Sequence, residues 1–365
     1  MSWNPHHTAL LFPTGGYHWP GMGADVDVTP RREIFDRAEA ALAPCGVVSG
    51  SLRRLMAGHD QARRVRADGA WSWSGDFPLS MVAQMAVGVA LGEAFVERHG
   101  PPCVLAGESM GELAAYCVAG ALRVEQTALL TYRWAVDLQA ASNHLGLRMA
   151  VIEDLAEAEV ARLPRHLQAR VVVAESPRLL VVALPPCHME ELDREVILRG
   201  GHTLVSNNPC AAHEPRLASA TAIWDAHEAF LTTLAFTAPR IPLLSTLAPG
   251  EFLAEAEALR KNRVDTTFVR VRWDETLRGL PALGVRRVVQ FGPASSGYAL
   301  KKFRAEEPAF AGVRISIIGI LAGLAAAVPT PTGPGKGSSQ RPDPGGSMHG
   351  DADGSQLDSH DRAGC

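Results

Sequence analysis

No two cysteines in this chain stand at metal-ligand or redox-motif spacing. The six, Cys45, Cys103, Cys117, Cys187, Cys210 and Cys365, are scattered without a C-x-x-C, which argues against both a zinc site and a disulfide framework and fits a reducing, cytoplasmic setting. Positive charge has no surplus: 35 Lys and Arg face 39 Asp and Glu, so the chain lacks the basic excess that neutralises phosphates and is not expected to bind nucleic acid. Long hydrophobic runs are missing too. The stretch 315–328 is interrupted by Ser316, Gly319 and Gly323 and is shorter than the roughly 18 apolar residues that span a bilayer. The opening residues Met1 to His7 show no charged segment followed by an apolar one, so neither membrane insertion nor export is expected. What is present is an ordinary globular composition, 47% hydrophobic and 20% charged over 365 residues, enough for two domains or one large domain with an insertion.

The order of apolar patterns gives the fold class. A short buried strand over 8–13 ends at Thr14-Gly15-Gly16, helical patterns follow at 32–42 and 79–98, and a second buried strand at 103–106 leads into a helix from about residue 110. Such alternation predicts an α/β domain with a largely parallel sheet. Between 147 and 205 the order changes to strand (147–152), helix (155–163), strand (170–174), strand (179–183), helix (188–198), strand (202–205), with Ser176-Pro177 as the middle turn. This is the split βαβ, ferredoxin-like order. The α/β pattern then resumes, with a helix at 216–234, a strand at 241–245, a helix at 273–283 and a strand at 287–291. The expected organisation is a discontinuous large domain (1–141 and 209–328) with parallel sheet, a small inserted domain (142–208), and a tail (329–365). The tail's Pro, Gly, Ser and Asp cannot bury enough surface to order it, so disorder is expected there.

The sharpest local signal is Gly107-Glu108-Ser109-Met110-Gly111-Glu112 between a strand and a helix. In a G-x-S-x-G elbow the serine sits on a tight turn, the glycines relieve crowding, and the helix N-terminus adds partial positive charge. The backbone N–H of Met110 is placed to stabilise an oxyanion. A nucleophilic serine needs a base. Among the 13 histidines, His213 lies where the chain returns from the inserted unit to the large domain, a natural cleft wall. Cys210, three positions away in the same loop, is the weaker nucleophile candidate.

With these motifs in place, residues 10–303 resemble the acyl-CoA and acyl-ACP:acyl-carrier-protein transacylases, which include malonyl transferases and polyketide synthase acyltransferase domains. Leu10 to Gly23 resembles the family's opening F-P-G-Q-G-S-Q-W-x-G-M-G, Gly107 to Glu112 its G-H-S-x-G-E, Ala212-His213-Glu214-Pro215 its catalytic histidine region, and Gln290-Phe291-Gly292-Pro293 its closing E-x-G-P. The resemblance implies an α/β-hydrolase-like large domain and a ping-pong transfer. Ser109, activated by His213, would take an acyl group from a thioester, and the phosphopantetheine thiol of an acyl carrier protein would remove it. It also implies an oxyanion hole of the Met110 and Gly15 N–H groups, a histidine oriented by a backbone carbonyl, no resident cofactor or metal, and coenzyme A or phosphopantetheine thioesters as substrates.

Departures from the family pattern concern the acyl group. Extender-unit transferases hold the malonyl carboxylate with an arginine, a pairing that guanidinium makes well. The resemblance places it twenty-five residues after the serine, at Trp134, with Arg133 as its neighbour. One residue is about 100° of helix rotation, so Arg133 should face elsewhere unless the turn adjusts. The family's histidine before the serine is Glu108, a glutamine on an earlier helix is Phe77, and Ala212 stands where bulkier residues limit the acyl substituent. These substrate-binding candidates favour a monoacyl group without a free carboxylate, neutral or amine-bearing. The alternatives are a standard malonyl transacylase, with Arg133 swung inward, and a thioesterase in which water replaces the carrier thiol. Arg53, Arg54, Arg63, Arg64 and Arg66, or Lys301, Lys302 and Arg304, are candidates for docking an acidic carrier protein.

Overall fold

Strand β1 (Thr8–Phe12) is buried at all five positions, as a strand covered on both faces of a parallel sheet must be. It belongs to a computed structural model that describes residues 4–16, 22–23, 31–57, 64–65, 71–72, 76–206, 208–292 and 297–319. Residues 17–21 of the opening motif, Pro293, Arg63 and Arg66, and the 329–365 tail lie outside the described residues. After β1 come helices α1 (Arg32–Leu42) and α2 (Ser51–Ala57), a short hairpin β2 (Arg64–Val65) and β3 (Trp71–Ser72), and helix α3 (Phe77–His99). Then follow β4 (Val104–Gly107), α4 (Gly111–Val118) and α5 (Val124–His144). The next segment holds β5 (Arg148–Glu153), α6 (Glu157–Val160), β6 (Arg170–Ser176), β7 (Leu179–Leu184), α7 (Met189–Leu198) and β8 (His202–Val205). Last come α8 (Thr221–Thr232), α9 (Ala256–Phe268), α10 (Trp273–Gly279), β9 (Arg287–Phe291), α11 (Gly297–Glu306) and β10 (Arg314–Ile318).

The first sheet is parallel, in the order β10-β9-β1-β4, with Leu11 paired to Ala106 on one side and Gln290 on the other. The strand expected at 241–245 is reduced to isolated bridges, Leu243 parallel with Leu105 and Leu244 antiparallel with Phe252. Pro242 supplies a carbonyl to Leu105 N–H at 2.8 Å, but it has no N–H of its own to extend a ladder. Helix α3 is capped by the Asp76 side chain, which accepts from Leu79 N–H at 3.1 Å. By length and composition α3 could cross a membrane, yet most of that apolar stretch is buried inside the protein. It packs on α5 and α4 as the central helix of the core.

The second sheet is antiparallel, in the order β6-β7-β5-β8. Its pleat divides the side chains by twos. Ala150, Ile152, Leu180, Val182 and Leu184 join a core with Val160 of α6 and with Leu192 and Val196 of α7. Met149, Val151, Val173 and Val181 face the opposite way and line a cavity against the first sheet's helices. Val271, between α9 and α10, ties that segment to β6, donating to the Val172 carbonyl at 3.0 Å and accepting from Ala174 N–H at 3.2 Å. The unit Met1–Val328 contains both sheets. Against expectation, the helix at 155–163 shortens to the single turn Glu157–Val160. Most of the 216–234 helix forms as Thr221–Thr232, preceded by a 3₁₀ turn at Pro215–Ser219.

Candidate active site

Strand β4 ends at Gly107 and α4 begins at Gly111, leaving Glu108, Ser109 and Met110 to make the turn. Ser109 has φ +56°, the left-handed region that only a strained or special position imposes on a residue with a side chain. The turn is closed by Gly111 N–H to the Glu108 carbonyl at 2.8 Å and Glu112 N–H to the Ser109 carbonyl at 3.1 Å. Neither flanking glycine could carry a side chain. A Cβ on Gly107 would lie 2.3 Å from Glu112 N, and one on Gly111 would lie 2.2 Å from the Phe12 carbonyl oxygen.

His213 is on the loop after β8, with φ +58°, and is almost fully buried. Its Nε2 lies 2.7 Å from Ser109 Oγ, and its Nδ1 lies 2.5 Å from the Thr266 carbonyl oxygen. A carbonyl only accepts, so Nδ1 carries the proton and Nε2 presents its lone pair to the Ser109 hydroxyl. Burial pushes the imidazole down to about 4, the Thr266 carbonyl opposes that shift, and the charge of Arg263 adds to it. The ring is therefore neutral at pH 7, the form that can accept a proton.

The carbonyl that orients His213 is held by buried polar contacts between α4 and α9. Glu112 of α4 accepts from Thr246 Oγ1 and Asn262 Nδ2, each at 3.0 Å, and lies 2.9 Å from Thr266 Oγ1. Arg263 stands 3.7 Å from the same carboxyl. Next to His213, the buried Glu214 pairs with Arg216 at 2.9 Å, and its N–H donates to the Thr267 carbonyl at 3.3 Å. The loop is thus fixed on both sides of the histidine.

A cavity of about 230 Å³ opens beside Ser109 and His213. Gly15, Met110, Glu108, Phe77, Trp134 and Ala212 all line it. Gly15 approaches Met110 closely enough that a Cβ built on it would be 3.7 Å from Met110 Cβ. Trp134 is buried, donates from Nε1 to Thr267 Oγ1 at 3.1 Å, and stacks on the Arg263 guanidinium at 4.3 Å. Arg133 corrects the expectation that gave it a substrate-binding role. It is not among the lining residues, is about two-fifths exposed, and pairs along its own helix with Asp137 at 2.7 Å. The 100° helix step turns it off the cavity, and Asp137, which also bonds His227 Nδ1 at 2.8 Å, holds it there. Cys210 lines the cavity as well, but burial pushes its thiol up to about 12, so it stays protonated and weakly nucleophilic.

Three features in and behind the cavity wall were not anticipated from the sequence. Glu175 and Asn208 line the cavity, and Arg263 lies fully buried behind Trp134 with no guanidinium hydrogen bond among the described residues. A signal for Arg263 existed, because Leu259, Asn262, Arg263, Thr266 and Thr267 repeat at helical spacing and so form one buried, largely polar stripe. The docking candidates are partly engaged: Arg53 pairs with Asp36, and Lys302 with Asp154 at 2.7 Å. Among the described residues, no group of three or more His, Cys, Asp or Glu side chains is placed to hold a metal ion.

No family model matches the chain. Curated relatives include the spectinabilin polyketide synthase system protein NorA' of Streptomyces orinoci, 31% identical over 298 residues, which are 78% of this chain and 8% of that protein. Another is the polyketide synthase GfsE of Streptomyces halstedii, 30% identical over 305 residues, 78% of this chain and 7% of that protein. Among solved structures, the malonyl-transacylase of a type II polyketide synthase in complex with its acyl-carrier protein superposes with TM-score 0.71 and 22% identity, covering 88% of this chain and 98% of that one. The acyl carrier protein S-malonyltransferase of Vibrio cholerae gives 0.69 and 21%, over 88% of this chain and all of that one. The acyl transferase domain of SpnD gives 0.70 and 23%, over 86% and 71%. The chain shares the fold of these solved structures. The chain spans less than about a tenth of the length of the two curated relatives named here.

Proposed function

We propose that the protein is an acyl-carrier-protein S-acyltransferase of polyketide or fatty-acid biosynthesis. The observation that carries this is the 2.7 Å contact of Ser109 Oγ with a neutral His213 whose other nitrogen is bonded to the Thr266 carbonyl. In the first half-reaction His213 Nε2 removes the hydroxyl proton while Ser109 Oγ attacks the thioester carbonyl. The tetrahedral oxyanion is held by the N–H groups of Gly15 and Met110, and the thiol leaves with the proton that His213 returns to it. In the second half-reaction the phosphopantetheine thiol of a carrier protein attacks the acyl-serine, with proton transfers in the reverse order.

The donor in this proposal is a coenzyme A or phosphopantetheine thioester, no resident cofactor takes part, and the setting is cytoplasmic. The large part is α/β-hydrolase-like (1–141 and 209–328) and the inserted part ferredoxin-like (142–208), supported by the β6-β7-β5-β8 strand order. The acyl unit lacks a free carboxylate. Support comes from Arg133 being paired outside the cavity and from the apolar Trp134 and Phe77 in its wall.

Intact-protein mass after incubation with acyl thioesters tests the proposal. A one-acyl adduct is expected, absent in Ser109→Ala and discharged onto a holo carrier protein. Adduct persisting in Ser109→Ala would remove the nucleophile. Discharge to free acid at one rate, with or without carrier, would make the protein a hydrolase.

A further inference from the structure

The polar groups that line the acyl cavity away from Ser109 and His213 include three acceptors that face no cation among the described residues. Glu108 is 5% exposed, and its Oε1 accepts no hydrogen bond among the described residues. The Asn208 Oδ1 atom is buried and equally unpartnered among them. Glu175, 7% exposed, lies two residues beyond Val173 on β6, and both line the cavity. Among the described residues neither glutamate has an ion-pair partner. Both carboxyls are held above the ordinary carboxylate range: burial and the neighbouring Glu175 raise Glu108, and burial with Glu153 raises Glu175 to about 7.

Two buried carboxyls are costly for a pocket that takes a hydrocarbon chain, because each must be desolvated without a partner. A carboxylated acyl group is a worse fit, since its charge would oppose the ionisation of either glutamate and neither is a cation that could pair with it. A protonated amine has three N–H donors and the opposite charge, which matches two carboxyls and one amide oxygen. Brought between the glutamates, it favours the ionised form that burial disfavours. Phe77, Trp134, Val151 and Leu204 supply apolar wall for the methylenes that link the amine to the thioester.

We propose that the cavity beside Ser109 takes an acyl group bearing a protonated amine, whose N–H donors go to Glu108, Glu175 and Asn208. This inference rests on the acyltransferase function proposed above. Its test is the rate of Ser109 acylation by pantetheine thioesters of four acids: β-alanine, butyrate, 3-hydroxypropionate and malonate. The β-alanyl and butyryl groups differ only by an ammonium in place of a methyl, and 3-hydroxypropionyl offers a donor without charge.

The wild-type protein should acylate with β-alanyl at a kcat/KM about tenfold or more above each of the other three, the size of effect a charge-assisted hydrogen bond gives. In Glu108→Gln/Glu175→Gln the ratio of β-alanyl to butyryl should fall to about twofold or less. Equal or faster acylation by butyryl, 3-hydroxypropionyl or malonyl in the wild type overturns the inference, as does an unchanged ratio in the double variant. If the double variant does not fold, Glu175→Gln alone with the wild-type panel decides. The two levels of failure are distinct. Labelling without β-alanyl preference sinks the amine alone, whereas no labelling by any of the four sinks the acyltransferase and the amine together.

Discussion

At the scale of single residues, His213 is the base of the proposed reaction, and what its far nitrogen touches suits the imidazole to that part. A backbone carbonyl cannot donate, so the Thr266 contact fixes one tautomer without placing a second charge beside the ring. Burial then holds the imidazole near 4 instead of at its ordinary value. The consequence is a displaced pH limb. For a neutral thioester such as butyryl, kcat/KM should stay level as the pH falls through 6.5 and drop only near pH 4 to 5, because the free enzyme's base sets that limb. A half-maximum at 6.5 would mean that His213 is solvated and not held as described. A separate limb near 7 that disappears in Glu175→Gln would belong to that carboxyl, which lines the same cavity.

At the scale of elements, the elbow depends on three segments meeting with no room for a side chain at the crossing. Gly111 packs against the end of β1, where a Cβ would lie 2.2 Å from the Phe12 carbonyl oxygen. Backbone there cannot yield as a flexible side chain would, so Gly111→Ala should cost about 3 kcal/mol or more, at or beyond the upper end of overpacking effects. Denaturant melts would read the loss, and a change under about 1 kcal/mol would show that β1 and α4 are not locked together. This crossing was legible in the sequence because it is local. A buried strand, G-x-S-x-G and a helix follow one another within about a dozen residues, and Arg32–Leu42, Arg287–Phe291 and His202–Val205 likewise formed at the expected bounds. The contacts between distant elements were not legible. Glu175 reaches the cavity through the pleat of β6, and Arg263 reaches Trp134 across α9 and α5. Neither placement leaves a mark until the sheet order and helix packing are known. The 241–245 strand failed for a third reason: its apolar pattern suits a strand, but Pro242 denies it a ladder.

At the scale of the whole molecule, the buried ionisable groups of the site pull the pH dependence of stability in opposite directions. His213 titrates near 4 when folded and near 6.5 when unfolded. Between those values the unfolded chain holds the extra proton, so this group's contribution is complete above 6.5 and is lost as the pH falls toward 4. Glu175 has the reverse sign. Its folded value of about 7 lies above the ordinary 4.5, so the folded chain holds the extra proton between them, and its contribution is complete below 4.5 and is lost as the pH rises through 7. Glu108, raised for the same first cause, burial, adds to that side. Replacing Glu175 with the isosteric, uncharged glutamine removes only the carboxyl's share. Glu175→Gln should therefore melt several degrees above the wild type at pH 8, where the wild-type carboxylate is ionised at a cost, and close to it at pH 4.5, where both side chains are neutral. Calorimetric scans of the two proteins across that range would measure the gap. A gap that stays constant with pH, or widens toward acid, would mean that Glu175 is not carrying an unpaired buried charge. The same scans with a β-alanyl pantetheine amide, which cannot acylate Ser109, link stability back to the site. A ligand that brings the missing cation should raise the wild-type melting temperature at pH 8 more than that of Glu175→Gln, because only the wild type has the second carboxylate for it to neutralise.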